Sequence, residues 1–261
     1  MRIAVLCDVH GNLDALSAVL AQVRAAGVDE ILVGGDVFPG PFPVACVEAL
    51  DRAGIPCRFV RGNGESAVLA ARVGRDLPRV PESFRGAIRW NADGLTPEWA
   101  ARLERWPLTE RAEVPGLGAV LFCHATPRDD DEIFTRLTPE AALAPIFAAC
   151  GAAIVVCGHT HMPFDRRIGA VRVVNAGSVG MPFGGTGADW LLLDGRSASL
   201  VPRHADYDLD AAAARIRAGA YPAAEFAAEA ILQPRSADAM TALYEPAVPK
   251  PPALTPDRGP R

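Results

Sequence analysis

The chain has 261 residues, half of them hydrophobic, and a formal net charge of −5 at pH 7. This composition is typical of a globular protein that can bury a core, as one large domain or two small ones. The negative balance gives no basic field for nucleic acid or anionic lipid, so nucleic acid is not an expected partner. An enzyme that acts on small phosphates remains compatible with it.

The cysteines and the apolar runs indicate the cellular compartment and whether the chain crosses a membrane. None of the six cysteines forms a C-x-x-C pair, so a thiolate zinc site and a thioredoxin motif have no support. The apolar stretch before Asp8 is too short for a signal peptide, and Pro145 and Gly151 interrupt the uncharged stretch Ala141–Gly158. We therefore expect no membrane association and predict a cytoplasmic protein with reduced thiols.

The first 73 residues alternate apolar runs with amphipathic segments. Continuous apolar runs predict strands of a sheet that is covered on both faces, and each run is followed by a polar turn and a helical pattern. The predicted strands are Ile3–Cys7, Ile31–Val33 and Cys57–Val60, and the helices begin near Leu13, Val44 and Ser66. Repeated strand–turn–helix units indicate the α/β class.

This alternation stops between residues 74 and 115. Helical patterns over Ser83–Trp90 and Pro97–Trp106 predict an inserted helical cap beside the site. The three tryptophans of this stretch are more typical of the core of such a cap than of a substrate platform.

The alternation resumes with a predicted strand at Ala119–Cys123, a helix at Pro139–Cys150 and a further strand at Ala153–Val156. Two antiparallel hairpins follow and complete a main domain that we place at residues 1–204. Ala-rich helical patterns predict a C-terminal helical extension at 205–244. The Pro-rich residues 245–261 show no apolar periodicity and predict a disordered tail.

Two histidines follow the strand at Ala153–Val156, in the sequence Gly158-His159-Thr160-His161. In extended or turn-like backbone, side chains at i and i+2 point the same way, so His159 and His161 can face one site. A lone histidine is usually a core or surface residue. A pair at a strand end is more typical of metal ligands, because neutral imidazole is the commonest one.

Polar side chains also follow the other predicted strands: Asp8, His10, Asp36, Asn63 and His124. Taken singly, Asp and Asn are ordinary turn residues and helix caps. However, ligands of open α/β sheets bind beyond the carboxyl ends of the strands, which is where these side chains fall. Their common position predicts one site.

The combined donor set is of the carboxylate, amide and imidazole type. It comprises Asp8, His10, Asp36, Asn63, His124, His159 and His161. Such donors suit Mn²⁺, Fe²⁺ or Zn²⁺ rather than copper or an iron–sulfur cluster. Seven donors are too many for one metal with an open position, and they suit two metals that share a bridging carboxylate.

The motifs D-x-H-G-N, G-G-D, G-N-x-E, C-H and G-H-T-H occur in this order between Arg2 and Arg203. Their order resembles that of the calcineurin-like metallophosphoesterases, and most closely the YfcE-type branch of bacterial phosphodiesterases. The resemblance implies an α/β fold in four layers, an α/β/β/α sandwich of two mixed sheets flanked by helices.

The resemblance also implies a role for each matching residue. One metal would be held by Asp8, His10 and His161. The other would be held by Asn63, His124 and His159, with Asp36 bridging the two. The implied cofactors are two divalent ions, manganese first and iron, zinc or nickel as alternatives. A hydroxide between them would attack phosphorus, with Asp36, Asn63 and His124 as the catalytic set.

One position departs from the pattern. Many family members have a histidine, held to assist the leaving group, where this chain has Gly64. The YfcE-type branch also lacks it, and the general acid stays unidentified. Arg128 is a candidate for binding phosphate oxygens, or a solvated arginine beside the acidic run Asp129–Glu132. Asn12 is a candidate substrate contact or, like Asn175, a group that fixes a loop.

We therefore predict a two-metal phosphoesterase that hydrolyses a phosphodiester or another small phosphorylated molecule. A phosphomonoesterase with the same metal centre, including a serine/threonine protein phosphatase, stays open as an alternative. A non-catalytic binding scaffold, as the retromer subunit of this fold is, is disfavoured by the complete set of ligands. The oligomeric state, including a homo-oligomer, also stays open.

Overall fold

The computed structural model describes residues 1–245, which form ten strands and nine helices. The strands are β1 Arg2–Leu6, β2 Glu30–Val33, β3 Cys57–Phe59, β4 Thr109–Val114, β5 Gly118–Cys123, β6 Ile154–Cys157, β7 Phe164–Ile168, β8 Val171–Asn175, β9 Ala188–Asp194 and β10 Ser199–Ala205. The helices are α1 Leu13–Ala26, α2 Pro43–Asp51, α3 Asn63–Arg72, α4 Glu82–Asp93, α5 Pro97–Glu104, α6 Glu140–Ala148, α7 Leu209–Arg217, α8 Ala224–Leu232 and α9 Ala237–Tyr244.

The strands form two mixed sheets of five strands each. The first has the order β10-β9-β1-β2-β3, in which β1, β2 and β3 are parallel and β9 and β10 antiparallel. The second has the order β4-β5-β6-β8-β7, with a parallel centre of β5, β6 and β8 between antiparallel edges. The predicted α/β class is confirmed.

Alternating side chains of the central strands build the layers. Val5 of β1 packs with Phe122 of β5 in the core between the two sheets, whereas the neighbouring Leu6 packs with Leu16 of α1 on the outer face. Successive strand residues point to opposite faces, so both faces of β1 are covered. Helix α6 covers the outer face of the second sheet. The predicted four-layer α/β/β/α sandwich is confirmed.

Strand β4 departs from the sequence prediction, which continued the helical insertion to residue 115. It pairs antiparallel with β5, from Thr109 opposite Cys123 to Val114 opposite Gly118. Its sequence TERAEV is mostly half-exposed or exposed, because it forms the edge of the second sheet. Charged edge strands lack the apolar pattern that identifies a buried strand. The helical cap therefore consists of α4 and α5 only.

The cap and the C-terminal extension contact each other through aromatic pairs. Trp90 of α4 meets Tyr221 edge-on at 5.5 Å between ring centroids, and Phe84 meets Phe226 in the same way at 5.1 Å. Of the three tryptophans between residues 74 and 115, Trp106 follows α5, is buried and stacks on Phe59. Helices α7 and α8 share a small apolar core of their own.

Of the predicted tail at 245–261, only Glu245 is among the described residues. Among residues 1–245, no helix combines the length and apolar character that a bilayer-crossing segment requires.

The core between the sheets gives the first prediction. Phe122 is 1% exposed in that core, and Phe122→Ala should lower the free energy of unfolding by about 3–5 kcal/mol, because the sheets cannot close on the space left by the ring. Urea denaturation followed by circular dichroism measures it. As a control, Leu137→Ala removes a 56% exposed side chain and should change this free energy by at most about 0.5 kcal/mol. A loss below about 1 kcal/mol for the Phe122 variant would contradict the packing described.

Candidate metal centre

The seven candidate ligands lie at the carboxyl ends of parallel strands from both sheets. Asp8 follows β1, Asp36 follows β2, and Asn63 follows β3 at the start of α3. From the second sheet, His124 follows β5 directly, and the Gly-His-Thr-His segment follows β6. Parallel strands direct their carboxyl ends to one edge, so packing the sheets face to face brings these residues together.

Backbone strain is concentrated in the same residues. Among residues 1–245, six non-glycine residues have a positive φ, and five of them are candidate ligands. These five are Asp8 (54°), His10 (46°), Asp36 (54°), His159 (68°) and His161 (58°). The left-handed region costs roughly 1–3 kcal/mol for such residues and is enriched at functional sites. The chain thus holds these side chains in orientations that an unstrained loop would not give.

The first group of ligand atoms is Asp8, His10 and His161. His10 Nε2 lies 3.1 Å from His161 Nε2, and Asp8 Oδ1 lies 3.3 Å from His161 Nε2. One donor atom from each residue falls within 4.8 Å of the other two. These are the three residues expected to hold one metal.

The second group surrounds His124 Nε2. Asn63 Oδ1 lies 3.0 Å from this nitrogen and His159 Nδ1 lies 3.2 Å from it. The carboxylate of Asp36 completes the group, with Oδ1 at 3.5 Å from His124 Nε2. These residues are the set expected around the other metal.

Asp36 faces both groups with different oxygens. Its Oδ2 is 3.9 Å from His10 Nε2, while its Oδ1 faces His124. Asp8 also reaches both groups, but with the single atom Oδ1, at 3.3 Å from His161 and 3.8 Å from His124. The geometry is compatible with the predicted bridge at Asp36 and adds Asp8 as a second carboxylate near both positions.

Backbone carbonyls fix the orientation of three imidazoles. The acceptors are Pro39 O for His10 Nδ1 (3.3 Å), Gly34 O for His124 Nδ1 (2.9 Å) and Met181 O for His161 Nδ1 (2.7 Å). A carbonyl oxygen can only accept, so Nδ1 carries a proton, and in the neutral form of each ring the lone pair of Nε2 points into the cluster. Metal-ligating histidines are usually held in this way.

Unpartnered buried atoms also point to a cation. Among the described residues, three buried side-chain atoms have no hydrogen-bond partner: Arg61 Nε and two atoms of the cluster, Asp8 Oδ1 and His159 Nε2. A buried carboxylate oxygen without a donor is costly unless a cation compensates it. Carboxylate, amide and imidazole donors fit divalent ions such as Mn²⁺, Fe²⁺, Zn²⁺ or Ni²⁺. The residues present therefore fit the predicted metals.

The charges of the cluster shift the pKa values of its members. Burial opposes a charge on His124, but Asp36 and Asp8 outweigh it and raise the pKa of His124 to about 10. Burial, followed by the charge of His124, lowers the pKa of His159 to about 4. Burial alone would raise the pKa of Asp36, yet the neighbouring histidines hold it below its usual value. In the metal-free protein at neutral pH, His124 is therefore protonated and His159 neutral.

The cysteines near the cluster take no part in it. Burial raises the pKa values of Cys7, Cys123 and Cys157 well above the ordinary value, so these thiols stay protonated. Within residues 1–245, the candidate metal groups contain no cysteine.

Arg128 pairs with the acidic run rather than with a candidate ligand, and its contact with phosphate stays a prediction. Its side chain is 56% exposed, and its guanidinium donates to the carboxylate of Glu132, with Nε at 3.0 Å. This exposed and paired side chain matches the other role considered for Arg128, a solvated arginine beside the acidic run.

Asn12 is buried and caps helix α1. Its Oδ1 accepts from Ala15 N at 3.1 Å, and its Nδ2 donates to Gly180 O and to Tyr207 Oη. Its role as a candidate substrate contact has no support in this geometry. Like the buried Asn175, which donates to Thr160 Oγ1, it fixes a loop next to the ligands.

Two supporting carboxylates escaped the sequence analysis. Glu65 is fully buried and accepts from the backbone N–H groups of Asp36 (2.9 Å), Phe38 (2.8 Å) and Gly62 (2.8 Å). Asp131 Oδ1 accepts from Asn63 Nδ2 at 3.0 Å, which turns the amide oxygen toward His124. Glu65 is part of the G-N-x-E motif, and Asp131 belongs to the acidic run beside Arg128, but the sequence analysis gave neither residue a role at the site.

The structure explains the glycine at position 64. A Cβ atom there would lie 2.1 Å from Phe38 O and 2.8 Å from Asp36 Oδ1. The Gly64 N–H instead donates to Asp36 Oδ1 at 2.8 Å. A histidine at this position is incompatible with the observed path of the loop after β2.

Five of the candidate ligands line a cavity of about 690 Å³. They are His10, Asp36, Asn63, His159 and His161, whereas Asp8 and His124 lie beneath them and are fully buried. The cavity continues upward between the cap and the C-terminal helices. A small molecule can therefore reach the exposed side of the cluster.

Two packed mixed sheets with such a cluster define an α/β protein with a candidate metal centre. The profile of the calcineurin-like phosphoesterase superfamily domain matches residues 1–197, and the chain belongs to this family. The predicted family is thus confirmed, and membership in it supports a hydrolase. The narrower assignment to the YfcE-type branch stays a prediction.

The similarity to some relatives extends beyond residues 1–197. An uncharacterized protein of Methanocaldococcus jannaschii, MJ0912, is 28% identical over 235 residues, covering 82% of this chain and 91% of that protein. A metallophosphoesterase from Sphaerobacter thermophilus is 27% identical, with a TM-score of 0.70 over 89% of this chain and 98% of its own. The hypothetical protein PH1004 from Pyrococcus horikoshii OT3 shares the fold, with a TM-score of 0.72 at 19% identity over 87% of this chain and 96% of its own.

The contact at Gly64 gives a prediction. Gly64→Ala should lower the free energy of unfolding by about 1–3 kcal/mol and reduce bound metal, because the added methyl displaces Phe38 or Asp36. Urea denaturation and elemental analysis measure the two effects. The matched control is Gly86→Ala in α4, where nothing lies within 4 Å, and it should stabilise by about 0.5–1 kcal/mol. A Gly64 variant with wild-type stability and metal content would show that the close contact has no role.

The raised pKa of His124 predicts proton release on metal binding. Since this pKa is about 10, the imidazole is protonated at pH 7 and must lose its proton to become a ligand. Each protein should therefore release at least about one proton, and metal affinity should rise up to about tenfold per pH unit between pH 7 and 9. Calorimetric titration in two buffers of different ionisation enthalpy counts the protons.

The control for proton release is His204→Gln. His204 is an exposed histidine that is hydrogen-bonded to Asp189 outside the cluster. Its substitution should change neither the number of protons released nor the pH dependence of metal affinity. Binding heats independent of buffer, with an affinity independent of pH, would refute the prediction.

Proposed function

We propose that this chain is a two-metal phosphoesterase that hydrolyses a phosphodiester or a similar small phosphorylated molecule. The observation that carries the proposal is the Asp36 carboxylate, whose two oxygens face two separate ligand groups at the floor of an open cavity. A carboxylate shared by two ligand groups suits two metal ions, and a two-metal site is the arrangement that clamps attacking and leaving oxygens in phosphoryl transfer.

The residues of the chain have defined tasks in this proposal. Asp8 and Asp36 supply negative charge for two divalent ions, of which we take manganese as the first candidate. Carbonyl-bonded imidazoles and the Asn63 amide, oriented by Asp131, complete the ligand sets. Bound divalent ions would polarise phosphoryl oxygens and lower the pKa of a coordinated water.

The cavity also offers a cation for the substrate phosphate. Of the two arginines that line it, Arg79 is bonded to Asp129 through both terminal nitrogens. Arg235, between α8 and α9, is the other. We assign to Arg235 the contact with phosphate oxygens that the sequence analysis gave to Arg128, since a guanidinium binds two such oxygens at once.

The proposal predicts the effect of removing the shared charge. Asp36→Asn keeps the size of the side chain, so the protein should fold, lose at least one metal equivalent and lose about 10²-fold or more in kcat/KM. Elemental analysis and assays of manganese-reconstituted protein on p-nitrophenyl monoesters and diesters measure this, and the ratio of the two rates decides between monoesterase and diesterase.

The control is Asp194→Asn, which removes a carboxylate that is bonded to Arg2 away from the site and should keep full metal content. An Asp36 variant with two metals and wild-type turnover would remove the basis of the proposal.

A further inference from the structure

The upper part of the cavity has a different character from its floor. The floor carries the polar metal ligands, and most of the other lining side chains are apolar. One wall comes from the cap and the segment that precedes α4, and the opposite wall comes from the C-terminal extension. The apolar residues of the two walls are Leu77, Phe84 and Ile88 from the cap side, and Phe226, Met240 and Leu243 from the extension.

Two phenylalanines join these walls. Phe84 and Phe226 meet edge to face, with 5.1 Å between centroids and 74° between planes. Although they touch, Phe84 remains 38% exposed and Phe226 42% exposed, and both line the cavity. Large apolar side chains that stay accessible in a cavity continuous with a reactive site are typical of ligand-binding surfaces.

The distribution of polar groups limits what this space can bind. A cavity of about 690 Å³ holds more than a phosphate group. Besides the ligands at the floor, its charged residues are Asp76, Arg79, Asp130, Asp131 and Arg235, and Ser66, Tyr221 and Tyr244 add hydroxyl groups. Because most lining residues above the floor are apolar, a sugar or a nucleobase would bury more polar groups there than the lining residues can pair. Burying such polar groups without partners would weaken binding.

We propose that the substrate is a phosphate ester with an alkyl or aryl hydrocarbon group, and that this group binds between the cap and the C-terminal extension against Phe84 and Phe226. The inference rests on the proposed phosphoesterase function for the identity of the charged head group. It makes the two phenylalanines specificity-determining residues, because they contact the part of the substrate that does not react.

The first experiment uses alkyl p-nitrophenyl phosphodiesters with methyl, butyl and hexyl groups. Water attacks phosphorus and p-nitrophenolate leaves, so every member yields p-nitrophenolate, an alkyl phosphate and a proton, and the leaving group is constant. For the manganese-loaded protein, kcat/KM should rise about two- to fourfold per methylene. Phe226→Ala and Phe84→Ala should each flatten this dependence.

The matched control pair removes leucines of equal exposure. Leu243→Ala alters a 58% exposed side chain in the cavity wall and should also weaken the dependence on chain length. Leu137→Ala alters a 56% exposed side chain that does not line the cavity, and it should leave the dependence unchanged.

A second experiment measures binding without turnover. Methyl-, butyl- and hexylphosphonate are titrated calorimetrically into the manganese-loaded protein, and affinity should rise with chain length with a negative change in heat capacity. The Phe226 variant should lose this gradient.

The outcomes separate the two proposals. Turnover without a chain-length dependence, or a preference for a nucleoside ester over the hexyl ester, overturns the hydrocarbon-binding inference and leaves the phosphoesterase intact. A binding gradient that Phe226→Ala abolishes, without turnover of any ester, supports the apolar site and overturns the phosphoesterase. The absence of both gradient and turnover overturns both.

Discussion

The position of the Asp36 carboxylate is the constraint on which the rest of the site depends. Burying a carboxylate is unfavourable unless donors or cations compensate it. Here the Gly64 N–H donates to it, and the buried Glu65 holds the loop by accepting from the N–H groups of Asp36 and Phe38. The start of helix α3 therefore fixes the loop after β2 from below, and a left-handed backbone at Asp36 turns its two oxygens toward the two ligand groups.

The cluster also couples function to the packing of the two sheets. The first sheet contributes the carboxylates and Asn63, whereas the second contributes His124 and the Gly-His-Thr-His segment. The carbonyl that orients His124 belongs to Gly34, which lies beyond β2 in the other sheet. The apolar core between the sheets therefore sets the distances among the ligands. The cap and the C-terminal extension add an apolar cavity wall to this shared floor, so the ligand cluster and the apolar wall come from different parts of the chain.

The sequence by itself determined the α/β class and the positions of the seven candidate ligands. Both are local properties: a buried strand is a short apolar run, and the residues after it in a parallel arrangement point to one edge. The motif order between Arg2 and Arg203 was sufficient for the family. For Asn12 and Arg128 the sequence left two roles open, and the observed contacts match a group that fixes a loop and a solvated arginine.

Only the tertiary structure decided the features that join distant residues. Strand β4 carries no apolar pattern, because an edge strand leaves much of its surface in water, so pairing with β5 alone identifies it. Asp131 supports Asn63 across 68 positions, and the need for glycine at 64 comes from Phe38 O in another loop. The cavity walls likewise meet through Phe84 and Phe226, which are far apart in the chain. Such contacts arise when elements pack, and no periodicity or spacing in the chain encodes them.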